Sequence, residues 1–209
     1  MGMVQQSVAG AGRRGRPGYD RQGILDVAVA TFIERGYDAT SIALLADRLG
    51  LSKSAIYHHF PSKEQILAAA LDEALDSLEA ALVPAGDDAG RSTPRGELAQ
   101  LEHVLREAVH VLVERLPYVT LLLRVRGNTE TERSALARRR AFDRQVRALI
   151  EAAQHSGELR SDIDARVAER LLFGMINSIV EWYRPGGRES AQSLADDVVA
   201  LTLDGLRTP

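Results

Sequence analysis

The chain has 209 residues, 45% hydrophobic and 26% charged, with no cysteine and a formal net charge of −3. That length and apolar fraction allow one large core or two small ones, and the missing cysteines exclude a disulfide framework and a zinc finger. The apolar runs are too short and too interrupted for a transmembrane helix and the first residues lack a hydrophobic signal core, so a cytoplasmic protein with no membrane partner is expected. A weakly acidic total does not exclude DNA binding, because attraction depends on where the cations cluster.

Residues 1–18 are rich in Gly, Ala, Gln and Ser and carry Arg13, Arg14 and Arg16. They read as a flexible basic arm, able to touch phosphates or enter a minor groove. Arg21 to Arg35 follows as a helix: Ile24, Leu25, Ala28 and Phe32 form an apolar stripe, Asp20 is a cap and Gly36 a stop.

The stretch from Thr40 to Lys63 is the most informative in the chain. Ile42, Leu45, Ala46 and Leu49 recur at helical spacing behind Thr40 or Ser41 as cap, and Gly50 stands where a left-handed residue ends a helix. Ser52 caps a second short helix, Lys53 to Phe60, and Pro61 cannot continue it. This is a helix-turn-helix pattern. In the second helix Ile56 and Phe60 face inward, while Ser54, Tyr57 and His58 share the other side, with Lys53 one turn before Tyr57. Such a helix fits a major groove about 12 Å wide and offers hydrogen-bonding tips to base edges and phosphates.

These residues carry a family resemblance. Gly36-Tyr37, Thr40-Ser41-Ile42, Leu45-Ala46 and the run from Leu49-Gly50-Leu51-Ser52-Lys53 through Tyr57-His58-His59-Phe60-Pro61-Ser62-Lys63-Glu64 resemble the N-terminal domain of the tetracycline-repressor (TetR) family. The resemblance implies an all-helical homodimer, with a three-helix DNA-binding domain and a larger C-terminal domain that binds a small inducer. On that basis residues 1–18 are the arm, 19–66 the helix-turn-helix domain, and 67–209 the ligand-binding and dimerisation domain. Expected DNA contacts are Thr40, Ser52, Lys53, Ser54, Tyr57, His58 and Lys63; the resemblance makes the lysine at Lys63 a phosphate grip. No cofactor or resident metal is implied.

Ser62 and Gln65 form a capping box that starts a helix running to Leu82. It bridges the reading head and the rest, so its tilt is a means of transmitting a ligand signal. Val83 to Gly96 holds Pro84 and Pro94 with Gly86, Asp87, Asp88, Gly90 and Gly96, and reads as a loop. From Glu97 to Arg115 a helical pattern returns. His103, Glu107 and His110 share one of its faces, but that spacing belongs more often to ordinary surface groups than to metal ligands. Tyr118 to Val125 is a shorter helix after Pro117. Glu130 to His155 is a long one, whose Arg138-Arg139-Arg140 run is either an anion site or a solvated face beside Glu130, Glu132 and Asp143.

Ala165 to Tyr183 is apolar almost all the way round, and Gly174 and Ser178 permit close approach of another helix. With Ala191 to Leu206 it is expected to build a two-fold, four-helix interface, since a helix apolar on every side must be covered on every side. Two reading helices one DNA turn apart, about 34–36 Å, would then read a palindrome. The segments Leu122 to Asn128 and Glu181 to Arg188 resemble a subgroup of the family that often responds to acyl-coenzyme A thioesters, which implies a pocket apolar within and basic at its mouth. Its expected lining is Leu105, Val109, Leu122, Arg124, Phe142, Phe173 and Ile176.

The function expected is a ligand-responsive, sequence-specific transcriptional regulator, a repressor released from a palindromic operator by an inducer. The alternatives are a ligand-independent architectural DNA-binding protein and an enzyme acting on CoA thioesters. No glycine-rich phosphate loop, Gly-x-Ser-x-Gly elbow or cysteine nucleophile favours an enzyme.

Overall fold

The computed structural model describes residues 20–83 and 96–207. Among these residues the chain forms α1 (Arg21–Arg35), α2 (Ile42–Leu49), α3 (Lys53–His59), α4 (Lys63–Ala80), α5 (Glu97–Glu114), α6 (Leu116–Arg124), α7 (Glu130–His155), α8 (Ala165–Trp182) and α9 (Ala191–Leu206). The fold is all-α, as the periodicity of the sequence requires. The arm expected at 1–18 and most of the 83–96 loop lie outside the described residues.

Short polar side chains set the helix starts. Asp20, Ser41, Ser52, Ser62, Thr129, Asp164 and Ser190 each accept a hydrogen bond from an amide of the first turn that has no partner within the helix. Ser41, not Thr40, caps α2. Gly50 closes α2 in the left-handed region at φ 64°, and the amide of Leu51 then bonds back to Ala46 O at 3.0 Å. Phe60 lies just past α3 in extended backbone, with its ring buried. Pro117 falls in the first turn of α6, so this helix starts at Leu116, immediately after α5.

The first three helices pack with the front of α4 around Ile24, Leu25, Phe32, Leu45, Ile56, Phe60, Ile66 and Leu67. Burying each large apolar side chain contributes about 1.5–3 kcal/mol, enough to hold a three-helix unit whose helices are individually too short to persist. Arg48 fastens α2 to α1: its guanidinium donates to Thr31 Oγ1 and pairs with Glu34 at 2.7 Å.

α5 is the axis of the C-terminal part, packed most extensively against α9 and also against α7 and α8. α4 continues without a break past residues 66 and 67 and packs on α5, α6 and α7. It is therefore shared between the reading head and the C-terminal helices. Polar contacts reinforce this junction. The Tyr118 hydroxyl donates to the Asp26 carboxylate and accepts from Gln22 Nε2 at 2.7 Å. Arg124 donates to Ile33 O at 2.9 Å, and Thr131 donates to Glu64 at 2.9 Å. Burial, then the bond to Asp26, pushes the Tyr118 phenol well above its usual range, so it remains a donor at any physiological pH.

The link between α6 and α7 turns at Gly127, φ 89°. The buried carboxylate of Glu132 accepts the amides of Arg126, Gly127 and Asn128 at 3.1, 2.8 and 2.8 Å. An acid that in sequence resembles a solvated neighbour of the arginines is instead the centre of a turn.

Candidate functional site

The reading face comes first. Ser52, Lys53, Ser54, Tyr57 and His58 of the α3 region are all exposed, Tyr57 at 48%. Ile56 and Phe60 on the opposite side are buried at 0% and 1% exposure, which fixes which face of α3 turns outward. The Ser52 hydroxyl is engaged with the Ala55 amide at 3.1 Å, so it caps the helix. Arg21 lies over the edge of this domain with its guanidinium 4.6 Å from the Phe60 ring centre, a cation–π contact the sequence did not signal.

Two expected contacts need correction or refinement. Thr40 is 1% exposed, and its hydroxyl donates to Gly36 O at 2.8 Å, so its side chain offers nothing to a DNA. A threonine two residues before a helix can fold back into the preceding turn, and here it does. Lys63 is half-buried: Nζ donates to Tyr37 O at 2.9 Å and lies 4.1 Å from the Tyr37 ring centre. It braces the 36–40 turn, with ammonium hydrogens remaining for a phosphate.

The second feature lies among α4 to α8. Leu78, Ala108, Leu112, Val119, Leu122, Phe142, Phe173 and Ile176 enclose an apolar cavity of about 30 Å³. Phe142 and Phe173 meet edge to face, 5.5 Å between centres. Arg139, Asp143, Phe173 and Asn177 line both this cavity and an adjoining cleft of about 500 Å³ between α7 and α8. The cleft presents Arg139, Arg140, Arg144 and Arg147 from α7 and Arg166 and Arg170 from α8, against only Asp143 and Glu169. Burial, then the charge of Glu169, raises the Asp143 carboxyl above its usual range, and the arginines pull it partly back. Arg147 reaches Glu169 only at 3.5 Å, and its Nε lies buried without a hydrogen-bond partner among the described residues. A buried donor left unpaired costs about 1–3 kcal/mol, and the six guanidinium groups against two carboxylates leave this cleft with an excess of positive charge.

Of the expected lining residues, Leu122, Phe142, Phe173 and Ile176 come together at the cavity. Leu105 and Val109 do not line it; both are buried in the core along the same apolar stripe of α5, Leu105 one turn before Ala108 and Val109 beside it. Arg124 faces a different cleft, at the junction with α1. The Arg138-Arg139-Arg140 run divides: Arg139 and Arg140 enter the cleft, while Arg138 pairs with Asp72, Asp76 and Glu79 of α4 rather than with acids of its own helix. Sequence reasoning missed Asn177 and the α8 arginines as partners of α7. The only signal was a basic pair at i and i+4, Arg166 and Arg170, matching Arg140 and Arg144. His103, Glu107 and His110 form no metal-binding group among the described residues.

The third feature is an uncovered apolar face. Val167, Leu171 and Trp182 of α8 and Leu201 of α9 are 48%, 69%, 50% and 72% exposed, and Gly174 and Ser178 lie on the same side of α8. The expectation of a helix apolar all round thus resolves into one side packed in the core and one side open. No helix among the described residues is long and apolar enough to cross a membrane.

Comparison with known proteins decides the family. The family model described as bacterial regulatory proteins, tetR family, matches residues 24–70, and that described as tetracyclin repressor-like, C-terminal domain, matches residues 94–206. The chain belongs to the TetR family. It is 32% identical to the HTH-type transcriptional repressor KstR2 of Rhodococcus jostii, over 95% of each chain. It is similar to the crystal structure of SCO3833, a TetR-family member from Streptomyces coelicolor, at 50% identity and TM-score 0.78, covering 88% of this chain and 91% of that one. It is also similar to AibR crystallised with isovaleryl coenzyme A and operator DNA, at 25% identity and TM-score 0.69, covering 88% and 97%. This TetR-family chain is thus a DNA-binding regulator of a family that acts as dimers and responds to small ligands.

Proposed function

We propose that this TetR-family protein is a repressor whose operator binding is relieved by an acyl-coenzyme A thioester. The observation that carries the reading is the continuity of the apolar cavity behind Phe142 and Phe173 with a cleft lined by six arginines. An acyl-CoA has that polarity in one molecule: an apolar acyl end, and a polyphosphate end that suits guanidinium forks. The similarity to KstR2, a repressor, and to AibR, bound to an acyl-CoA and to operator DNA, supports the same reading. Ser52, Lys53, Ser54, Tyr57 and His58 are the proposed groove contacts, with Lys63 at a phosphate; Thr40 is withdrawn. The dimer forms through α8 and α9, whose open apolar stripe favours burial against a second copy. Residues 19–66 act as the reading unit and 67–209 as the ligand and dimer unit, with α4 common to both, and the basic arm at 1–18 adds phosphate contacts.

Calorimetric titration with isovaleryl-CoA, free coenzyme A and isovalerate tests the ligand. The thioester is expected to bind best, coenzyme A more weakly, and isovalerate least. No binding by any CoA thioester, with a clear response to a neutral drug, would remove the ligand class. Competition between a selected duplex and random DNA tests the repressor reading against an architectural one, since an architectural protein binds both alike.

A further inference from the structure

The cavity of about 30 Å³ holds about one water molecule, so an acyl group enters only if its walls part. Helices α4 to α8 supply those walls, and of these α4 continues into the reading head, contributing Leu78. The same stretch of α4 is gripped from α7 by one side chain. Arg138 meets Glu79 with two parallel bonds, Nε at 2.8 Å and Nη2 at 2.7 Å, and also pairs with Asp76 at 2.6 Å and Asp72 at 2.9 Å. These three acids stand at i, i+4 and i+7 on one side of α4, while Leu78 lies about 100° round the helix from Glu79. A bidentate guanidinium shared by three carboxylates is the kind of network that escapes the usual weakness of surface ion pairs. The next residue, Arg139, lines both the cavity and the cleft. Neighbouring residues of α7 thus address the ligand site and α4.

We propose that Arg138 is the positioning residue that couples the cavity to the reading head: its hold on Asp72, Asp76 and Glu79 favours the arrangement of α4 in which the cavity is closed, and a ligand works against it. This rests on the reading that the cavity is the ligand site. A protein held mostly in the closed arrangement loses apparent ligand affinity by the fraction of open state, and weakening the clamp returns that affinity. DNA binding falls only when the open state becomes a sizeable share.

The test uses the full chain and the duplex that the wild-type protein selects from a random pool. Arg138→Gln is expected to bind isovaleryl-CoA about fivefold tighter and to release the duplex at correspondingly less ligand. Equal or weaker thioester binding overturns the proposal. A second arm needs no ligand: Ala108→Leu fills the cavity from α5, or Ala108→Val where circular dichroism shows the leucine variant unfolded. Adding Arg138→Gln to the filled variant is expected to cost the duplex several-fold more affinity than Arg138→Gln costs the wild type, because the filled protein already populates the open state. An equal cost in both backgrounds marks a merely structural ion pair and also overturns the proposal. If no thioester binds the wild type, the ligand reading fails while this second arm still decides the role of Arg138.

Discussion

The reading face on α3 and the arginine cleft between α7 and α8 both display polar side chains over a buried apolar layer, but they are assembled in different ways. The five exposed residues of the reading face fall within seven consecutive positions, and one short helix with its caps sets their geometry. The cleft draws on helices whose arginines are some 20 to 30 residues apart, and it exists only because α7 and α8 pack side by side. A site carried by one element is rigid and local. A site carried between elements changes when those elements shift, which suits a ligand that must alter the protein's state.

Several substitutions would sharpen or break that contrast. The largest effect is expected outside both sites, at Leu171→Asp on the open stripe of α8. A charge there should yield monomers in analytical ultracentrifugation and lower duplex affinity by roughly 100-fold or more, since a lone half-site makes about half the contacts. A monomer with full affinity would remove the dimer from the account. On the reading face, Tyr57→Ala should cost about 1–3 kcal/mol against the preferred duplex and far less against random DNA, which makes it a change of preference rather than of general affinity. In the cleft, Arg144→Gln should weaken isovaleryl-CoA by about tenfold while isovalerate binding hardly moves, because the lost contact is to phosphate.

Smaller effects probe the supports of the reading face. Ser52→Ala removes the α3 cap and should lower unfolding free energy by about 1 kcal/mol in denaturant titration. Lys63→Ala should flatten the salt dependence of DNA binding by about one unit of slope. It should also cost about 0.5–1 kcal/mol of stability through the lost Tyr37 stacking. If stability falls but the salt slope does not, Lys63 is only a brace for the 36–40 turn.

These cases show how far the residues alone could lead. Within the first 66 residues, the serine caps, Gly50 and the inward Ile56 and Phe60 were all readable, because each depends on neighbours within one helical turn. Thr40 was misread for the complementary reason: whether its hydroxyl faces a groove or the Gly36 carbonyl depends on how the 36–40 turn closes. In the C-terminal part the helices themselves were readable to within two residues at each end, since the 3.6-residue period survives any packing. Which of four apolar α5 residues would wall a cavity was not readable, because Leu105, Ala108, Val109 and Leu112 share one broad stripe.

The amino-acid sequence by itself determined the helices, their caps and the outward face of α3, and the motif around Gly50 and Ser52 placed the chain in its family. Local hydrogen bonding and hydrophobic period act over a few residues, so they are written in order along the chain. Only the tertiary structure decided that Arg138 turns to α4 while Arg139 and Arg140 turn to α8, and that Glu132 centres a turn instead of neutralising arginines. Adjacent side chains on a helix point about 100° apart, and which of them meets a partner is settled by the helices packed alongside.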